Sequence, residues 1–186
     1  ISALEANQQL KITLFESASA PLGKVKISGG GRCNVTTSIQ EPKELIRNYP
    51  RGGRELLGPF HRFGPKEVVS WFENQGVSLK IEPDGRMFPS SDKSQTIIDC
   101  LRQAALRLGV IEKFKTRVQA LSWNEAVGKV LLDNKAENGS ETSMFVDAVL
   151  IASGSASFGH RVASEFGHEI VSCVPSLFTF QIKDQL

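Results

Sequence analysis

Ser28-Gly29-Gly30-Gly31-Arg32-Cys33-Asn34 is the stretch on which the reading of this chain turns. Three successive glycines are poor material for a helix or a strand. Glycine loses the most conformational freedom on folding, so a triplet is retained where the backbone needs unusual angles or where something must approach it closely. A run of bare N–H groups beside a guanidinium suits a flat, anionic ligand such as a dinucleotide. The plain alternative is a flexible surface turn. What lies before and after the triplet weighs between the two.

The 186 residues are 40% hydrophobic and 23% charged, an ordinary globular composition, and the length suggests one domain or slightly more. The net charge is +2 and the 22 Lys and Arg are scattered, which argues against a nucleic-acid-binding face. Cys33, Cys100 and Cys173 lie far apart, so neither a disulfide framework nor a zinc site is expected. His61, His160 and His168 show no metal-ligand spacing and are read as structural or surface residues, with no metal expected. The best apolar run, Val146 to Ala152, is strand-sized and contains Asp147, so no membrane span is expected. The two Asn-x-Ser/Thr matches, at Asn34 and Asn138, are read as chance, since no secretory signal accompanies them. The chain opens on Ile1 with what reads as the last turns of a helix and stops at Leu186 in mid-element. The expectation is an internal piece of a longer protein.

Leu10 to Glu16 reads as a strand with a carboxylate at its C-terminal end. In a doubly wound fold such a carboxylate accepts hydrogen bonds from a dinucleotide's ribose hydroxyls. Lys24 and Lys26 precede the glycines and Arg32 follows them, an arrangement that would neutralise a diphosphate; the alternative is solvated surface lysines. Short helices are expected near 42–47 and 54–62. A clearer one starts at Gly64-Pro65 and stops before Gly76. Val77 to Ile81 reads as a strand and Asp84-Gly85 as a turn into Arg86-Met-Phe-Pro-Ser-Ser91. The strongest helix is 93–108, with Asp92 and Gln95 in a capping-box pattern and Ile97, Ile98, Leu101, Ala104, Ala105 and Leu108 on one face. Three strands follow, with Gly128 and Asn138-Gly139 as turns. Ala148-Val-Leu-Ile-Ala152 reads as a strand buried on both faces. Gly159 to Phe166 reads as a helix with Val162, Ala163 and Phe166 inward, and Val174 to Phe180 as a last strand. Gly154 to Gly159 has Walker-like glycine spacing, but His160-Arg161 replace the required Lys-Ser/Thr, which excludes a nucleoside triphosphatase.

The ordered set is a strand ending in Glu16, the glycine motif, Gly85-Arg-Met-Phe-Pro-Ser, a three-strand excursion, Ile151-Ala-Ser-Gly154, and Gly167-His-Glu-Ile with Val174-Pro-Ser-Leu. It resembles the HI0933-like family of NAD(P)/FAD-dependent oxidoreductases, also called YhiN-like or BaiN-like, over nearly the whole chain. The compact Ile151–Arg161 segment resembles the branch found in photosynthetic organisms.

The resemblance implies an α/β fold, part of a two-dinucleotide-type FAD/NAD(P)-binding fold: a parallel sheet, helices, and an antiparallel three-strand excursion. It implies a partial FAD-binding domain over residues 1–175 and the start of a truncated inserted domain at 176–186. Glu16 would bind the adenosine ribose. Lys24 and Ser28, Gly29, Gly30, Gly31, Arg32, Cys33 and Asn34 would line the diphosphate and flavin side. Val118 would meet the adenine through its backbone, and Ala152, Ser153 and Gly154 would end the strand that packs on the cofactor. The family's leading strand and G-x-G-x-x-G turn do not occur in these residues, and their absence would leave an unpaired sheet edge.

The expected function is that of an FAD flavoprotein oxidoreductase, moving hydride between a nicotinamide cofactor, NAD(P)H, and a small organic substrate. Arg32 could stabilise negative charge on the reduced flavin, and Cys33 is read as a packing residue although its arginine neighbour could give it thiolate character. The alternative is a non-catalytic α/β module that binds a nucleotide or a partner. No nucleic acid and no membrane are expected as partners, and the expected location is cytoplasmic, or plastid if a targeting peptide precedes Ile1.

Overall fold

In the computed structural model, which describes residues 1–173, α1 (Ser2–Ala6) leads into β1 (Thr13–Phe15) and then α2 (Gly23–Gly31). After β2 (Thr36–Thr37) come three helices, α3 (Pro42–Leu45), α4 (Gly53–Arg62) and α5 (Pro65–Asn74), with a 3-10 turn at Ile46–Asn48 between the first two. The hairpin β3 (Leu79–Ile81) and β4 (Arg86–Pro89), α6 (Ser94–Arg107) and β5 (Ile111–Lys113) complete a first compact unit, Ile1–Lys115. A second unit starts at Thr116 and holds β6 (Thr116–Asn124), β7 (Lys129–Ala136), β8 (Glu141–Val146) and α7 (Ser157–Glu165).

α5 begins and ends as its sequence dictates. Pro65 occupies the first turn, and Glu67 reaches back to accept from the Gly64 N–H at 2.8 Å. Gly76, left-handed at φ +82°, turns the chain so that the Val77 N–H bonds the Phe72 carbonyl at 2.9 Å. α6 buries Ile97, Ile98, Cys100 and Ala104 at helical spacing. Ile97 and Cys100 meet Phe72, Val77 and Cys33 in the core of this unit. Burial pushes the Cys100 thiol up, which keeps it protonated and inert.

The expected cap of α6 does not form. Asp92 lies outside the helix at φ +53°, and its carboxylate goes to Lys80 at 2.5 Å and Arg32 at 3.5 Å. Gln95 bonds Asp99 instead. A charged partner outcompetes the neutral cap.

β1 and β5 pair in parallel, Leu14 opposite Glu112, an arrangement that needs the intervening chain as a crossover. β5 was not expected from its sequence, since Glu112 and Lys113 mask the short apolar signal. β2, β4 and β3 form an antiparallel sheet with β4 central; Thr36 faces Met87, and Lys80 faces Phe88.

In the second unit β6, β7 and β8 form an antiparallel meander, with a register shift between Val118 and Ala120. Leu121 and Leu132 are paired and buried, and buried Asn134 is satisfied across the ladder by Thr142. Residues 148–152 depart from expectation: they form no strand, and Leu150 is 92% exposed. A strand buried on both faces is held by partner strands on both edges, and no described segment pairs with this run. Val162 is buried in α7 as expected, whereas Phe166 is exposed. The expected strand at 174–180 and the boundary at 175 lie outside the described residues.

Candidate functional site

The glycine motif is the C-terminal half of α2, and it breaks that helix. Lys24 to Ile27 make an unanticipated helical turn, because the basic side chains there are compatible with helix and Gly23 admits its start. Ser28 then swings to ψ 148°, and Gly29, Gly30 and Gly31 follow at φ +56°, +68° and +84°. Left-handed backbone on three successive residues is what only glycine adopts without strain. The turn closes when the Cys33 N–H reaches the Ser28 carbonyl at 3.0 Å.

The three glycines are not equivalent. A Cβ on Gly29 would stand 2.8 Å from the Asn34 nitrogen and 2.9 Å from the Phe88 ring, so this glycine is needed for packing as well as angle. A Cβ on Gly30 would meet nothing within 4 Å. The turn therefore presses one glycine against β4, leaves Gly30 facing open space, and leaves Gly31 exposed beside the Lys26 carbonyl at 4.0 Å, a bare backbone that a flat ligand could approach.

The side chains of the motif all have partners within the protein. Ser28 Oγ donates to the Val25 carbonyl at 2.9 Å. Arg32 lies 4.0 Å above the ring of Phe88, which is 0% exposed, and forks onto Glu82 at 2.5 and 3.4 Å, with Asp92 at 3.5 Å. The hydrogen bond that Arg32 donates to Glu82 raises the Arg32 pKa further, and the bond donated by Lys80 holds the Asp92 carboxyl below its ordinary range. Cys33, left-handed at φ +65°, is buried in the core cluster. The Asn34 amide nitrogen, in the orientation that satisfies its neighbours, donates to the Thr36 and Met87 carbonyls at 3.0 and 3.2 Å. Arg32 thus carries a balanced charge, and the backbone is what the motif presents outward.

Glu16 stands at the end of β1, where its N–H still bonds the Lys113 carbonyl at 2.9 Å. Its Oε1 accepts from the Ala18 N–H at 2.8 Å, and from Ser17 Oγ at 3.4 Å. Lys24 is exposed on α2. The remaining candidates belong to the second unit. Val118 is half-buried beside the β6 irregularity, and Ala152, Ser153 and left-handed Gly154 lie in the loop before α7. A Cβ on Gly159 would come 2.7 Å from Ser153 Oγ, so α7 sits tightly against that loop. Exposed Cys173 lies 4.0 Å from His160 Nε2.

Sequence reasoning missed Glu82, Asp92 and Phe88, the residues that hold the motif. The only signal was Gly-Arg-x-Phe-Pro after an acidic turn, which indicates a hairpin without saying that it faces the glycines.

Residues 1–174 match the HI0933-like protein Rossmann domain. The chain belongs to the HI0933-like family. Its motif-based assignment and its α/β, Rossmann-type class both stand. The HI0933-like chain is 25% identical to the ribosomal RNA dihydrouridine synthase of Escherichia coli, over 100% of its own length and 46% of that protein. It is 23% identical to the 3-dehydro-bile acid delta(4,6)-reductase of Clostridium scindens, over 98% of its own length and 44% of that protein. It thus spans under half the length of these curated relatives. Among solved structures, a flavoprotein/dehydrogenase from Cytophaga hutchinsonii superposes on 94% of the chain and 40% of its own, with a TM-score of 0.47 and 14% identity. Among the described residues, no helix is long and apolar enough to cross a membrane.

Proposed function

We propose that this HI0933-like chain is the FAD-binding part of an oxidoreductase that reduces a carbon–carbon double bond conjugated to a carbonyl. The observation that carries the reading is the left-handed, exposed Gly30–Gly31 backbone, with Gly30 facing open space and Gly29 packed behind it. The relatives supply the substrate class. A dihydrouridine synthase and a delta(4,6)-reductase both saturate a ring double bond activated by a carbonyl.

Gly30 and Gly31 would approach the cofactor through backbone, Glu16 would accept from the ribose hydroxyls, and Lys24 would sit on the diphosphate side. Val118 and Ala152 to Gly154 are proposed for the adenine end and the strand end. FAD held by these residues would supply hydride-transfer chemistry, with NAD(P)H proposed as its reductant. The balance would be one NAD(P)H and one solvent proton for each double bond saturated, with two C–H bonds replacing the π bond and NAD(P)+ released. Arg32 acts here as a positioning residue, because Glu82 and Asp92 already balance its charge. The substrate is proposed to be a small molecule and the location cytoplasmic or plastid.

The test is the visible absorption spectrum of the 186-residue chain after incubation with excess FAD and desalting. Retained flavin near one equivalent is expected, and Gly30→Val should abolish it while the circular dichroism stays folded. A folded but colourless parent chain would overturn the reading and leave a non-catalytic α/β module.

A further inference from the structure

Beyond the motif the chain builds a pocket that the cofactor reading does not use. It is an open cleft of about 400 Å³, within the size range of small-molecule sites, and Asn34 of the motif lies on its lining. Leu45, Tyr49, Phe60 and Phe63 form much of its lining, and Arg86 joins them. Tyr49 and Phe60 are stacked at a tilt, with ring centroids 5.7 Å apart. Tyr49 is 41% exposed and Phe63 is 55% exposed. Two large aromatic side chains left open to solvent along a cleft suit a ligand with a flat face of its own.

The wall is rigid where it matters. A Cβ on Gly64 would come 2.7 Å from the Phe60 carbonyl oxygen, so the corner between α4 and α5 closes only with glycine there. That corner carries Phe60 and Phe63, both on the pocket lining. Arg86, also on the lining, is already paired, its Nε donating to Asp84 at 2.7 Å and its NH2 lying 3.6 Å from Glu82. Arg32, Lys80 and Arg86 share Glu82, Asp84 and Asp92, three cations against three carboxylates, so Arg86 gives little net attraction for an anion yet still has N–H donors for a neutral oxygen. The combination of aromatic walls, a balanced donor and a place next to the glycine motif selects a planar, uncharged ring bearing a carbonyl.

We propose that this pocket is the substrate site, and that it takes the flat ring of a conjugated carbonyl compound against the exposed aromatic side chains of Tyr49 and Phe63. The proposal rests on the oxidoreductase reading above for its reaction, but its binding step is measurable alone. Two sources share the chemistry: the pyrimidine ring of uridine and the enone ring of a keto-steroid.

Tyr49 is the only tyrosine in the chain, so 3-fluorotyrosine labelling gives one fluorine resonance inside the pocket. The 186-residue chain is titrated with uridine, 5,6-dihydrouridine and progesterone, and separately with FAD. A saturable shift with uridine, and a weaker one with its puckered dihydro analogue, assigns a pyrimidine; a shift with progesterone alone assigns the steroid-type enone. Phe63→Ala should raise the dissociation constant about three- to tenfold. This side chain is exposed, so the variant keeps its fold. No shift with either ring at millimolar concentration overturns the proposal, as does a resonance that FAD alone moves. Retained FAD together with a silent resonance would sink the pocket and leave the oxidoreductase reading standing. A ring-dependent shift in a chain that retains no flavin would do the reverse.

Discussion

At the glycine turn every side chain has an assigned place. Ser28 is tied to its own helix, Arg32 is held between two carboxylates and the face of Phe88, Cys33 is in the core, and Asn34 bridges two carbonyls. Across residues 148–152 the opposite holds. Val149, Leu150 and Ile151 are exposed, and no described strand bonds their backbone. The resemblance gives the turn to the cofactor and, of the apolar run, only its last residue, Ala152, and the contrast shows two ways in which residues specify structure. The turn carries its instructions locally, in positive φ angles and in a charge that must find a counter-charge. The apolar run specifies only that something must cover it, and its geometry comes from whatever does.

The contrast breaks most directly at Phe88. Phe88→Ala removes a fully buried ring beneath Arg32 and behind Gly29 and should cost about 3–5 kcal/mol, measured by urea unfolding. A loss below 1 kcal/mol would mean that the turn does not lean on β4. Next come the paired variants Gly29→Ala and Gly30→Ala. Both force alanine into left-handed backbone, but only the first meets atoms under 3 Å, so about 2–4 kcal/mol is expected for Gly29 and about 1 kcal/mol for Gly30. Equal losses would show that angle alone matters.

Acid sharpens the comparison further. The Asp92 carboxyl is held down by Lys80 first, then by Arg32, so its folded pKa lies below its unfolded one. The stability it contributes is present above the unfolded carboxylate value of about 4 and is lost as the pH falls through the lower folded value. An Asp92→Asn variant should show a shallower acid limb in a stability–pH profile, and an unchanged limb would count against the network. The smallest effect is at the apolar run. Leu150→Ser should change the unfolding free energy by no more than about 0.5 kcal/mol. A core-sized loss would show that the run is packed after all.

Much of the fold was legible because the signals were local. Pro65 and Gly76 delimit α5, the spacing of Ile97, Ile98 and Ala104 draws α6, and Gly128 and Asn138-Gly139 separate the meander strands. What was not legible depended on distant partners. Asp92 looked like a cap until Lys80 and Arg32 were brought to it. β5 is a strand only because β1 lies beside it. At the candidate site, the glycines announced a bare backbone, but that Arg32 faces acids 50 and 60 residues away could not be read from its neighbours.

The placement of the three thiols has a consequence for timing. Cys173 is open to solvent, while Cys33 and Cys100 are buried in one cluster, the first at the end of the glycine turn and the second on α6. A maleimide reagent would mark Cys173 at once and then wait. Mass spectra taken over hours would record how the remaining adducts arrive. If the chain gains two together, turn and helix open as one cooperative body; if one precedes the other, the turn has a life of its own.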